Sequence, residues 1–317
     1  MTTIAVVAHS GSSLGGGLPE LREVLAAEGV RDPLWYEMSD IRAAPQLARQ
    51  AREEGADLVV IWGGDGTLQR CIDGLADTGA TIAIMPAGTG NLLAANLGIP
   101  TDLRKAVEIA LHGHRRPLDT GKANGEHFAV MAGAGFDALM LRDTGSQLKG
   151  RIGPAAYLWS GAFNLNAPVV DASIMVDGES FFQGALSCVL MANVGKVLGG
   201  IEAFEKAEPD DGILDLAVIT AKNPVQWTRT IGRVALGRAE DSPFVEVMRG
   251  KRFEIQFAEP FLYELDGDPR KAVVRLSVAV HPASITVCVP ASTEPAYVQP
   301  PRTNEIAAVR ESSEHKE

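Results

Sequence analysis

Between Leu58 and Asn91 two short apolar runs each end in a glycine loop, and this repeat restricts the fold more than any other stretch of the chain. Leu58-Val59-Val60-Ile61-Trp62 has the length and β-branching of a buried strand, and it runs into Gly63-Gly64-Asp65-Gly66-Thr67. Leu68, Cys71, Ile72 and Leu75 then recur at the spacing of a helix stripe. Thr81 to Met85 reads as a second buried strand, followed by Pro86-Ala87-Gly88-Thr89-Gly90-Asn91 and a helix from near Leu92. Strand, glycine loop and helix in that order aim free backbone N–H groups at an anion. Glycines let the backbone approach a phosphate where a Cβ would intrude. Both loops fall at the carboxyl edge of a parallel sheet, where open α/β sheets bind ligands. A carboxylate beside phosphates is repelled unless a cation lies between them, so Asp65 reads as a Mg²⁺ ligand, directly or through water. The alternative is a plain strand-to-helix turn with Asp65 as the helix N-cap.

The surrounding pattern continues this grammar. Ile4 to Ala8 forms a first strand, and His9 to Gly17 is a Ser/Gly-rich loop and third candidate cradle. Leu18, Leu21 and Leu25 share one helix face; Leu34 to Glu37 is a further strand, and another helix passes through Leu47 and Ala51. The helix at 102–112 has its stripe at Leu103, Ala106, Val107, Ala110 and Leu111 behind an Asp102 cap. Alternating strands and helices specify a parallel sheet covered on both faces. Beyond Asp119 the pattern changes. Asn124-Gly125 and Asp177-Gly178 are hairpin signals. Strands are expected at 127–131, 186–192, 213–219, 253–257, 273–280 and 285–289. The expected fold is α/β: a doubly wound parallel sheet over 1–119, an antiparallel β-sandwich over 120–290, and a disordered tail over 291–317.

Composition closes several function classes. A net charge of −11, without a basic, aromatic-interleaved stretch, argues against nucleic acid. Cys71, Cys188 and Cys288 lie far apart, as reduced thiols of a cytoplasmic protein do. His112-x-His114 is a poor metal pattern, the N-terminus lacks a basic n-region, and the uncharged run from 152 to 170 is broken by polar residues and Pro154 and Pro168. Gly133-Ala134-Gly135-Phe136-Asp137-Ala138 matches a dinucleotide pattern but lacks the acidic residue about 20 positions on, so close packing of glycines is the competing explanation.

Gly63 to Thr67, then Pro86 to Asn91, then Leu97-Gly98-Ile99-Pro100 resemble the diacylglycerol kinase catalytic-domain family, the soluble bacterial lipid kinases related to sphingosine and NAD kinases. The resemblance implies an ATP-dependent kinase that moves the γ-phosphate to a lipid hydroxyl, diacylglycerol giving phosphatidic acid being the expected pair. It implies that Gly63, Gly64, Gly66 and Thr67 cradle phosphates, that Asp65 organises Mg²⁺, and that Gly88, Thr89 and Asn91 bind nucleotide. The family carries Asp-Gly-Glu, with the Glu as general base, where this chain has Asp266-Gly267-Asp268; Asp268, one methylene shorter, takes that place. Asp211-Gly212-Ile213-Leu214-Asp215 is similar to a family segment that holds a structural Mg²⁺, through the Asp211 carboxylate and carbonyls near Glu208 and Ile213. Read as residues alone, both segments are turns. The first loop, Ala8-His9-Ser10-Gly11-Ser12, departs from the family's Asn-Pro-x-x-Gly. Alternative readings are a sphingoid-base or NAD kinase, or a nucleotide-binding regulator that has lost its base. The lipid is expected at a membrane surface, met transiently through apolar residues lining the inter-domain cleft in the Ile152–Phe163 stretch. For a protein of net charge −11 charge attraction does not dominate, although a local basic patch at Arg249, Lys251 and Arg252 could act within a Debye length of about 8 Å. Oligomeric state stays open, a homodimer included.

Overall fold

The computed structural model describes residues 2–135, 169–197, 201–235, 238 and 241–291. Phe136 to Ala138 of the glycine motif, the Ile152–Phe163 stretch and the tail beyond Ala291 lie outside the described residues.

The first half alternates as expected: β1 (Ile4–His9), α1 (Gly17–Ala27), β2 (Leu34–Met38), α2 (Ala44–Glu53), β3 (Leu58–Gly63), α3 (Asp65–Leu75), β4 (Thr81–Pro86), α4 (Leu92–Asn96) and α5 (Leu103–His112). The strands pair in parallel in the order β2-β1-β3-β4. The chain crosses from one side of β1 to the other between β2 and β3, so the loops after β1 and β3 part at a topological switch point. Strands buried on both faces read as unbroken apolar runs. Alternate residues divide them: Val7, Val59, Ile61 and Ile84 pack against Ala48 of α2, Ile72 of α3 and Leu93 of α4. Val6, Val60, Trp62 and Met85 pack with Leu21 of α1 and Val107 of α5. Asp102 caps α5, its Oδ1 accepting from the Lys105 N–H at 2.9 Å.

The second half consists of β5 (His114–Ala123), β6 (Glu126–Phe128), β7 (Met131–Ala134), β8 (Val170–Val176), β9 (Glu179–Leu186), β10 (Cys188–Ala192), β11 (Lys196–Val197), β12 (Ile201–Glu202), β13 (Leu214–Ile219), α6 (Pro224–Ala235), β14 (Val245–Gly250), β15 (Arg252–Phe261), β16 (Tyr263–Leu265), β17 (Asp268–Pro269) and β18 (Val273–Val289). A six-stranded sheet, β14-β13-β10-β7-β16-β17, packs on β15, β8 and β18 through Phe253, Ile255, Leu276, Val189, Met191 and Leu216. This is the expected antiparallel sandwich.

Three local expectations change. The strand expected at 127–131 is split between two sheets. The buried Asp266 accepts the N–H groups of Ala129, Val130 and Met131, each at 2.9 Å, which bends the chain there. The runs at 273–280 and 285–289 are one strand, β18, irregular between His281 and Ile285 with Ala283 at φ +49°. Helix α6 was not anticipated, although Trp227 and Ile231, four apart, supply its buried face.

Strand β18 joins the halves. One edge runs antiparallel to β5 from His114 to Ala123; its other edge pairs with β15 and then, at Thr286 and Val287, in parallel with Thr81 and Ile82 of β4. The residue 119/120 division proposed from sequence falls inside β5.

Candidate active site

The two glycine loops meet back to back. A Cβ at Gly88 would lie 2.3 Å from the Gly64 Cα, and one at Gly63 would lie 2.5 Å from the Thr67 Cβ. The glycines are therefore needed for the loops to approach each other and for Thr67 to sit buried beneath β3. Gly88→Ala is expected to force the loops apart, destabilising the fold by about 1–3 kcal/mol and weakening nucleotide binding. Thermal denaturation with and without ATP checks this; unchanged values for both would refute the packing account.

Asp65 opens α3 but does not cap it: Gly64 is the N-cap, and no side chain closes that end. Its Oδ1 instead accepts the Leu92 N–H at 2.6 Å, at the start of α4. Its Oδ2 faces Gly90, where a Cβ would sit only 2.7 Å away. Burial pushes the carboxyl above the usual range, while the backbone N–H groups of Leu92, Asn91 and Leu93 pull it back. Asp65 thus ties the first loop to the second. Asn91, left-handed at φ +49°, gives its side chain to the shape of its own loop. Its Oδ1 accepts from Gly88 N–H at 2.9 Å, and its Nδ2 donates to Pro86 O at 3.1 Å and Gly88 O at 2.9 Å. Gly88, Thr89 and Gly90 are exposed at the rim, and Gly66 is unobstructed.

Helix α3 carries the site toward the sandwich. Arg70 lies five residues along α3 from Asp65, a rise of about 7.5 Å. Its Nη2 donates to Asp268 Oδ2 at 2.8 Å, and Arg270 Nη1 reaches the same oxygen at 2.8 Å. Arg270 also bonds Glu126 Oε2 at 2.9 Å and Gln69 Oε1 at 3.1 Å, and the buried Gln69 donates to His127 O at 2.6 Å. Asp268 Oδ1 accepts no hydrogen bond among the described residues. So the structure brings Asp268, read from sequence, onto the helix that follows the first glycine loop. The clamp around it, Arg70 and Arg270, escaped sequence reasoning. Asp266, the neighbouring carboxylate, is spent on backbone: burial raises it to about 6 against the pull of its three N–H partners.

Glu264, on β16 opposite Gly133 of β7, was also missed. It is 1% exposed, and neither carboxyl oxygen has a hydrogen-bond partner among the described residues. Burial, with the charges of Asp266 and Asp268, pushes it up to about 8. The folded state therefore keeps a proton that the unfolded chain releases near 4.5. Its stabilising contribution is complete below that value, falls as pH rises toward 8, and is flat above. Glu264→Gln should gain about 2 kcal/mol or more over wild type on moving from pH 4.5 to 8.5. Urea denaturation of both proteins at the two pH values tests this, and an unchanged difference would contradict it.

The acidic turn is organised by cations already present. Asp211 Oδ2 is paired with Arg249 and its Oδ1 accepts the Ile213 N–H at 3.0 Å; Arg249 also reaches Asp215 at 3.2 Å, and Arg116 holds Asp210 at 2.8 Å. Glu208 is exposed beside them. The buried Asp119 ties this turn to β18, accepting Gly212 N–H at 2.6 Å and Ala283 N–H at 2.7 Å. In the first loop, Glu20 accepts the Gly16 N–H at 2.5 Å, so a carboxylate takes one of the donors a phosphate would use. Gly135 follows β7 at φ +82°, and a Cβ there would meet Ser187 O at 2.4 Å and the Phe261 ring at 2.5 Å. Of the basic patch, Arg249 is engaged by acids while Lys251 and Arg252 remain exposed. Among the described residues no helix is long and apolar enough to cross a membrane.

Comparison with known proteins matches residues 4–123 to the diacylglycerol kinase catalytic domain and residues 130–289 to the YegS C-terminal NAD kinase beta sandwich-like domain. The chain is similar to a diacylglycerol kinase of Bacillus subtilis, 31% identical over 71% of this chain and 75% of the relative. It is also similar to a probable YegS-like lipid kinase of Pseudomonas putida, 31% identical over 86% of this chain and 92% of the relative. Among solved structures, a putative diacylglycerol kinase from Bacillus anthracis superposes with a TM-score of 0.77 at 22% identity, covering 93% of this chain and 98% of the other. An NAD kinase from Archaeoglobus fulgidus shares the fold more distantly, with a TM-score of 0.50 at 15% identity over 90% of this chain and 93% of the other.

Proposed function

Because the chain belongs to the family of diacylglycerol kinases and YegS-like lipid kinases, we propose that it transfers the γ-phosphate of ATP to the primary hydroxyl of diacylglycerol. The observation that carries this reading is the close contact of the two glycine loops, which a Cβ at Gly64 or Gly88 would break. Gly64, Gly66 and Thr67 offer the N-terminus of α3 to the phosphates, and the exposed Gly88 to Gly90 rim offers a second set of backbone groups. Asp65 suits Mg²⁺, a hard cation that would neutralise negative charge on the nucleotide phosphates. Its Oδ2, facing Gly90, is the oxygen available for that; Oδ1 fixes the carboxylate through Leu92.

The acceptor brings its own nucleophile, so no serine or cysteine of the chain is needed. Asp268 takes the hydroxyl proton through Oδ1 while Arg70 and Arg270 fix its other oxygen. Those guanidiniums also place positive charge beside the reacting groups, and positioning and charge neutralisation supply most of the rate in phosphoryl transfer. Asp211, with the carbonyls of Glu208 and Ile213, lies in the acidic turn rather than at the loops. There Arg249 supplies the positive charge, and a structural Mg²⁺ would have to share Asp211 with it. The lipid is met at a membrane surface. The test is ADP release from Mg-ATP with dispersed diacylglycerol, a sphingoid base and NAD. Turnover with diacylglycerol is expected; turnover with NAD alone, or ATP binding without any turnover, would overturn the proposal.

A further inference from the structure

Asp77, His127 and His281 converge away from the glycine loops, at the far end of α3. Asp77 stands in the turn after α3 at φ +62°, held by its N–H to Ser284 O at 2.8 Å. His127 lies in β6 and His281 where β18 becomes irregular. One ligand atom from each lies within 4.8 Å of the other two: His281 Nδ1 is 3.5 Å and His127 Nε2 3.9 Å from Asp77 Oδ2. The imidazoles meet edge to face with centroids 5.0 Å apart. A four-coordinate ion with bonds of about 2.0–2.2 Å spaces its ligands about 3.3–3.5 Å apart, so small side-chain rotations close this set around one ion.

We propose that Asp77, His127 and His281 form a binding site for a borderline divalent transition metal of the Zn²⁺ class, with the fourth position open to solvent. Two imidazoles and one carboxylate select such an ion over Mg²⁺ or Ca²⁺, which take oxygen ligands. The surroundings have the features of a metal's outer shell. His127 is buried, and its Nδ1 lies 2.7 Å from Thr120 Oγ1, which in turn lies 2.8 Å from Ser284 Oγ. With Thr120 donating to Ser284, Nδ1–H donates to Thr120 and Nε2 presents its lone pair toward Asp77, the orientation an outer-shell partner imposes on a metal-bound histidine. Asp73 Oδ1 accepts the His127 backbone N–H at 2.8 Å, and Lys122 of β5 pairs with His127 of β6. Asp73, Asp77 and Lys122 together sum to one negative charge, which suits a dication.

The three ligands come from the turn after α3, from β6 and from β18. A bound ion would therefore pin the trailing end of α3 to the sandwich, about 16 Å from the glycine loop at its start. This is separate from any Mg²⁺ that accompanies ATP.

The experiment uses the full chain, stripped of metal and titrated with ZnCl₂ in millimolar Mg²⁺ by calorimetry, with Co²⁺ as a spectroscopic probe. The expected result is one equivalent bound with micromolar affinity or tighter, a rise in Tm of roughly 3–8 °C at saturation, and visible bands of four-coordinate Co²⁺. Asp77→Asn and His281→Gln, both at accessible positions, should each weaken Zn²⁺ at least tenfold while leaving Mg-ATP turnover of the metal-free protein unchanged. Wild type that binds no Zn²⁺ above the Mg²⁺ background, or variants that bind as wild type does, would overturn the proposal. Should a variant fail to fold, the Co²⁺ spectrum of wild type decides: no nitrogen-ligated bands, no site.

Discussion

Asp268→Ala should lower phosphoryl transfer by about 10²–10⁴-fold, the usual contribution of a general base, with little change in ATP affinity. In the proposed mechanism the base acts on the acceptor hydroxyl and touches no phosphate. Two arginines share its Oδ2, so removing the carboxylate also leaves Arg70 and Arg270 with Glu126 as their remaining carboxylate. Asp268→Asn separates the two effects. An amide oxygen still accepts from the arginines and preserves their positions, yet it cannot take a proton. If Asn matches Ala in kcat while keeping wild-type Tm, the loss is chemical. If Asn restores activity, Asp268 serves only to hold the arginines. Asp268→Glu should retain turnover, since it restores the longer acid that the resembling family carries.

Asp65→Asn should cost at least about 10²-fold in Mg-ATP turnover, the scale seen when a group that stabilises developing charge is removed. The fold should survive, because an amide oxygen still accepts the Leu92 N–H that fastens α4. ADP release and thermal melting, measured together, give the answer. Near-normal turnover would remove Asp65 from the chemistry and leave it as a tie between the loops.

The parts of this molecule that were legible in the sequence are those whose cause is local. The Asn124-Gly125, Asp177-Gly178 and Asp266-Gly267 turns each place an Asx residue and then a glycine at positive φ, at 46° and 99°, 52° and 90°, and 49° and 82°. That is the backbone demand of the tight hairpin those dipeptides announce. The stripes of α3 and α5 and the apolar runs of β1, β3 and β4 likewise needed only periodicity. The clamp around Asp268 was out of reach because Arg70 and Gln69 find their partners 198 and 201 residues away, and Arg270 meets Glu126 at a separation of 144. No periodicity joins such residues; only the sandwich folding back on α3 does. The histidine cluster is hidden for the same reason, since His127 and His281 are remote in the chain and each alone reads as an ordinary strand residue. Asp65 was half legible. Its loop announced an anion site, but that its carboxylate fastens the second loop depends on two strands lying side by side.

Strand β18 also decides the order in which the molecule can be completed. As the chain leaves the ribosome, β1 to β4 emerge before β18, so the neighbour of β4 at Thr81 and Ile82 arrives only with Thr286 and Val287. Until then β4 is an open, apolar strand edge, the kind that recruits other chains, and β5 lacks the partner that lines it from His114 to Ala123. A nascent chain is thus committed to a late, long-range closure, which slows folding and leaves a window for chaperones. The same dependence governs recombination. The segments 4–123 and 130–289 match separate family models, yet a chimera that exchanged only the first would inherit a foreign closing strand. Grafts between relatives should succeed when residues 273–289 travel with the parallel sheet they complete.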